Sequence, residues 1–143
     1  MPTIVIDASL AVWAVLPFLS NVNALSQIVQ WRQAAVELWA PALWLPECTS
    51  AIRRCARTGL ILSADASIAL EDIFALDVHL APATPAHCRS ALVWAERLGQ
   101  AKAYDGFYLA LAQELGATFF TADKRLSNGA QQLGISWVHW IGQ

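Results

Sequence analysis

At 143 residues the chain is of single-domain size and long enough for a real core. Hydrophobic residues make up 57% and charged residues 14%, with seven Trp, which leaves little polar surface and implies an apolar face covered by a second copy or a partner. The formal net charge of −2 argues against a surface that grips nucleic acid throughout, while leaving room for a local basic patch.

The chain opens on Thr3 to Ile6, a β-branched run without alternation, as in a strand buried on both faces of a parallel sheet. It ends at Asp7. A carboxylate there is well placed for chemistry, since open α/β sheets bind ligands outside the carboxyl ends of their strands. It serves equally as an N-cap, and either Asp7 or Ser9 can cap a helix starting at Leu10.

The charge-free stretch from Ala8 to Trp31 is interrupted by Pro17, Ser20, Asn21 and Asn23, so no membrane span is expected. It reads as a short helix over Leu10–Leu16, then a longer one over Val22–Trp39 stopped by Pro41. No basic segment precedes an apolar one at the N-terminus, so no signal peptide is expected. Cys48, Cys55 and Cys88 form no CxxC pair, and buried free thiols in a reducing cytoplasm are expected.

A second strand is expected over Ala40–Trp44. A helix then runs from Pro46 to Thr58, with Gly59 as its stop. Ser63 to Phe74 is the next helix, Asp77–Leu80 a third strand, and Thr84-Pro85 the start of a helix ending near Gly99. Tyr104 to Leu115 is helical, Ala117 to Thr121 a strand, Asn128 to Leu133 a helix, and Ile135 to Ile141 a last strand. Such alternation predicts a parallel sheet with helices on both faces.

Most of the eleven acids have ordinary roles on solvated helix faces; Glu37 is expected near a helix end, exposed. Four stand apart. Asp7 and Asp123 follow strands, and Glu47 and Asp105 lie in the first turns of helices. In a parallel sheet those positions share one edge. Four carboxylates there repel one another unless a positive charge sits between them, and a divalent cation with a preference for oxygen is the natural partner. Singly, each acid is better explained as a cap or a first-turn acid than as a ligand.

Together the motifs resemble those of PIN-domain ribonucleases of the VapC-like toxin type. Ile4-Val5-Ile6-Asp7-Ala8-Ser9 matches the opening strand with its first acid, and Ala40-Pro41 through Leu45-Pro46-Glu47, with Ala51-Ile52-Arg53-Arg54, the strand and helix carrying the second. Tyr104-Asp105-Gly106-Phe107-Tyr108-Leu109-Ala110-Leu111-Ala112 matches the helix of the third, and Thr121-Ala122-Asp123-Lys124-Arg125-Leu126 the fourth. The order is the family's, over nearly the whole chain, 1–143 being taken as one domain.

The resemblance implies a three-layer α/β/α sandwich with a central parallel sheet of four or five strands. It implies Mg²⁺- or Mn²⁺-dependent cleavage of RNA phosphodiesters by metal-activated water. Asp7, Glu47 and Asp105 would be the main metal ligands and Asp123 would complete the cluster. Thr121 and Ser9 would be hydroxyl neighbours, with Ser9 then the better cap. Lys124 and Arg125, beside the last acid, are the best phosphate-contact candidates among the basic residues. The family also implies a cytoplasmic toxin that dimerises and meets an antitoxin protein. Gly106 departs from the alanine usual there, lowering helix propensity without touching the chemistry. A PIN-fold binding or scaffold protein with little nuclease activity is the alternative, and its signature would be a missing acid.

Overall fold

The computed structural model describes residues 2–19 and 23–142. Its elements run β1 (Thr3–Ile6), α1 (Ala8–Val15), a 3₁₀ turn (Pro17–Leu19), α2 (Ala24–Gln33), β2 (Glu37–Pro41), α3 (Trp44–Arg57) and α4 (Ser63–Ala75). There follow β3 (His79–Ala81), α5 (Pro85–Leu98), α6 (Tyr104–Leu115), β4 (Thr118–Thr121), α7 (Lys124–Gln132) and β5 (Val138–Trp140). The five strands form one sheet in the order β3-β2-β1-β4-β5, and every pairing is parallel. The α/β/α sandwich expected from the sequence is present, with five strands.

β1 is central. Val5 pairs with Trp39 on one side and Phe119 on the other, and Val5 and Ile6 are fully buried. Parallel crossovers are right-handed, so α1 to α4 cover one face of the sheet and α5 to α7 the other. Ring contacts agree, since neighbouring residues of β4 point to opposite faces. Phe120 meets Trp31 of α2, whereas Phe119 stacks on Tyr108 of α6. Strand order reverses between β1 and β4, and this opens the crevice in which doubly wound sheets bind ligands.

Several boundaries differ from the sequence expectation, each for a physical reason. The expected helix over Val22–Trp39 ends at Gln33, and its start at Val22 falls outside the described residues. Ala35 adopts φ 57, and the amide of Val36 donates back to the Trp31 carbonyl at 2.9 Å. This is the left-handed helix stop that glycine ordinarily marks. With alanine in that place nothing in the sequence announced it. Glu37 consequently lies in β2, half-buried, and the second strand is Glu37–Pro41 instead of Ala40–Trp44. α3 begins at Trp44, which leaves Pro46 inside the first turn, where its missing N–H costs no intrahelical bond. Asp77, expected in a strand, has φ 55, and β3 starts two residues later. α7 starts at Lys124, not Asn128, because Asp123 caps it. Of the three thiols only Cys48 is buried; Cys55 is partly exposed and Cys88 exposed.

The close approach of α5 to α6 explains Gly106. A Cβ built there would lie 2.4 Å from the Ala91 carbonyl oxygen and 2.8 Å from its Cα. These are backbone atoms of α5, so α6 can seat against α5 only with glycine at this position. Gly106→Ala is expected to lower stability by up to about 2 kcal/mol, because overpacking against backbone costs about 1–3 kcal/mol and the helix-propensity gain returns about 1 kcal/mol of it. A thermal melt measures it as a fall of a few degrees.

Large apolar side chains remain exposed on the outer helices, among them Leu62 and Ile68 near α4 and Leu92 and Val93 on α5. No helix among the described residues is long and apolar enough to cross a membrane.

Candidate active site

The carboxyl edge of the sheet, on both sides of the β1/β4 reversal, carries all four predicted acids. Asp7 follows β1 and Asp123 follows β4, each as an N-cap, and Glu47 and Asp105 lie in the first turns of α3 and α6. Together they line one cleft of about 490 Å³, with Ser9, Arg54, Tyr104 and Tyr108. Four helix N-termini converge on this edge, and their partial positive charge offsets part of the repulsion among the acids.

Asp7 is buried, and its carboxylate is held from three directions. Oδ1 accepts from the Leu10 amide at 2.9 Å and from the Ser9 hydroxyl at 2.7 Å. Oδ2 accepts from the Thr121 hydroxyl. Asp7 itself is therefore the cap of α1, and it also lines the cleft. The expectation that Ser9 would do the capping is corrected: Ser9 serves the cap by donating to it. Thr121 is fully buried, and its Oγ1 in turn accepts from the Asp123 amide at 2.9 Å, which ties the ends of β1 and β4 together. Asp123 is exposed at the cleft rim, its Oδ1 accepting from the amides of Arg125 and Leu126 at 3.0 and 3.3 Å.

The remaining acids are oriented by residues that the sequence did not single out for the task. Tyr108 donates to Glu47 Oε1 at 2.5 Å, and Gln100 donates through Nε2 to Asp105 Oδ2 at 2.8 Å. Tyr108 stands one turn after Asp105 on the same helix face, a spacing that was legible. Gln100 follows the left-handed Gly99 that ends α5, and no sequence signal aimed it at Asp105.

The electrostatics show the acids sensing one another. Burial raises Asp7 to about 6, against the pull of its hydrogen bonds from Thr121, Leu10 and Ser9, with the charge of Asp105 adding to the rise. Burial also raises Glu47; the Tyr108 hydrogen bond opposes this, Asp105 and Asp7 add to it, and Arg54 lowers it. Asp105 is raised by burial, lowered by Gln100, raised by Asp123 and lowered by Arg125. The basic groups that reach the acids are thus Arg54 and Arg125. Lys124, next in the chain to Asp123, is exposed, with its Nζ 5.1 Å above the Trp140 ring.

The donor set suits a hard cation: carboxylate oxygens only, on a partly open cleft. A carboxylate offers about four lone-pair sites. Asp7 uses three of them, and Glu47 Oε2, Asp105 Oδ1 and Asp123 Oδ2 accept no hydrogen bond from the described residues. Among the described residues no three His, Cys, Asp or Glu side chains stand as a ready-made cage.

A doubly wound α/β/α fold with an acid-lined crevice at its switch point is the class that fold and site define. The PIN domain family matches residues 4–131. Ribonuclease VapC9 of Mycobacterium tuberculosis is 35% identical over 128 residues, covering 90% of this chain and 91% of its own. In structure the chain is similar to PAE2754 from Pyrobaculum aerophilum, with TM-score 0.69 and 20% identity over 98% of this chain and 83% of that one. It is also similar to VapBC2 from Rickettsia felis bound to a fragment of promoter DNA, with TM-score 0.63 and 11% identity over 99% and 98%. The chain belongs to the PIN-domain family.

Proposed function

We propose that the protein is a divalent-metal-dependent endoribonuclease, the toxin of a toxin–antitoxin pair, working at the cleft of Asp7, Glu47, Asp105 and Asp123. The observation that carries this reading is the convergence of four acids, none missing, on one switch-point crevice. The kinship with proteins named VapC ribonucleases supplies the substrate class. The scaffold alternative loses its main support, since its signature was an absent acid.

In this reading Asp7, Glu47 and Asp105 hold the cation, with Asp123 completing the set at the rim. The chemistry implied of Mg²⁺ or Mn²⁺ is activation of water and neutralisation of charge on the phosphate. The chain's own contribution is geometry. Three donors fix Asp7, and one donor each orients Glu47 and Asp105. Thr121 holds the first and last acid motifs in register. Lys124 and Arg125, exposed and following Asp123 in the chain, neutralise backbone phosphates on the flanking RNA. Lys124→Ala and Arg125→Ala are each expected to weaken RNA binding across sequences and to reduce the salt dependence of binding by about one charge, measurable by fluorescence anisotropy at several salt concentrations.

The exposed apolar faces suit a homodimer and an antitoxin segment as the covering partners, in the cytoplasm. The test of the activity is direct. Purified protein is expected to cut structured RNA with Mg²⁺ or Mn²⁺ and to stop on addition of EDTA. Cleavage that persists in EDTA contradicts the metal-dependent reading.

A further inference from the structure

Glu47 differs from the other acids in having a long side chain, reaching the cleft from the α3 layer, with a single hydrogen-bond donor among the described residues. Left free, its carboxylate would swing away from Asp7 and Asp105, whose charges oppose it. We propose that Tyr108 is a positioning residue for Glu47, its hydroxyl taking Oε1 so that Oε2 remains the oxygen offered to the cleft. This deepens the reading above and rests on Glu47 being one of the acids that hold the cation.

The geometry supports it at both ends of the bond. Tyr108 is 2% exposed, and its ring stacks on Phe119 of β4 with centroids 5.5 Å apart and planes 20° apart. A ring with two torsions, clamped between helix and sheet, gives the hydroxyl one position. A buried tyrosine hydroxyl needs a partner, and Glu47 is that partner, from the helical layer on the opposite face of the sheet. The bond therefore links the two helical layers across the sheet edge. It also makes α6 responsible for two acids at once: Asp105 directly, and Glu47 through a side chain one turn further on.

Tyr108→Phe keeps the ring and its stacking and removes only the hydroxyl. The probe is Mn²⁺ alone, without RNA, with free Mn²⁺ followed by electron paramagnetic resonance. Loss of a partner that orients a ligand typically costs about 10–100-fold in metal affinity, and that weakening is expected for Tyr108→Phe. In a Glu47→Gln background the same change is expected to have no further effect, because Tyr108 acts through Glu47; a role limited to packing would lower stability equally in both backgrounds and leave the Kd alone. Tyr104 and Tyr108 are the only tyrosines, so 3-fluorotyrosine labelling gives a second measurement on a chain that keeps the hydroxyl, with Tyr104→Phe assigning the signal. The Tyr108 ¹⁹F resonance should shift on Mn²⁺-free Mg²⁺ titration, and should not shift in Glu47→Gln. Unchanged Mn²⁺ affinity in Tyr108→Phe, with Asp7→Asn losing binding, overturns the proposal and leaves the metal site standing. A wild-type chain that binds no Mn²⁺ overturns both, and a ¹⁹F signal indifferent to Mg²⁺ overturns the positioning role even where Tyr108→Phe fails to fold.

Discussion

Replacing Asp7 by asparagine is expected to lower RNA cleavage about a thousandfold. A carboxylate that helps hold a catalytic cation supports several kcal/mol of charge stabilisation in the transition state, and about 4 kcal/mol is about three orders of magnitude in rate. Asparagine preserves the local architecture. Its Oδ1 can still accept from the Leu10 amide and the Ser9 hydroxyl, and its amide can donate to Thr121, whose oxygen has a second lone pair. The loss should therefore fall on chemistry and not on folding. Single-turnover cleavage of a labelled RNA measures it, and a variant retaining wild-type rates would remove Asp7 from the site.

The second large effect concerns stability, and its sign is opposite to that of an ion-paired acid. The Asp7 carboxyl lies at about 6 in the folded chain and near 3.9 when unfolded. Below about pH 4 both states hold the proton, and Asp7 costs nothing. Between about pH 4 and 6 the unfolded chain releases it while the folded chain retains it, so stability falls as pH rises through that window and then levels off. The full loss is about 3 kcal/mol for Asp7, and Glu47 and Asp105, raised for the same reason of burial, act in the same direction. Urea unfolding in EDTA from pH 4.5 to 7.5 should show the metal-free wild type weakening and Asp7→Asn weakening distinctly less. Adding Mg²⁺ at pH 7.5 should restore stability, by about 2.7 kcal/mol at a hundred times its Kd. Equal pH slopes for wild type and Asp7→Asn would mean that the burial of Asp7 carries no such cost.

How much of this could be seen in the sequence varies by element. The central strand was plain, because a β-branched run without alternation is what burial on both faces produces, and Val5 and Ile6 are fully buried. The four acids were legible because each follows a strand or opens a helix, and in a parallel sheet those positions share an edge. The β2 boundary was not, because Ala35 takes a backbone conformation that glycine usually announces. Cap and site acid looked like competing roles for Asp7, yet one carboxylate has lone pairs enough for both. Gly106 looked like a weak helix residue, and only the approach of Ala91 shows why a side chain has no room there. The place of Tyr108 one turn after Asp105 is legible, but its bond to Glu47, like that of Gln100 to Asp105, is not. The sequence can place acids on an edge, but which neighbour orients each oxygen depends on rotamers and loop paths.

The central claim is that these acids form a single metal pocket serving RNA cleavage. It is tested most directly by titrating Mn²⁺ into the wild type and Asp105→Asn while following metal binding and RNA cleavage on the same samples. In the wild type, cleavage should rise along the binding curve; in Asp105→Asn both should be lost together. Cleavage that persists in Asp105→Asn without bound metal would contradict the claim.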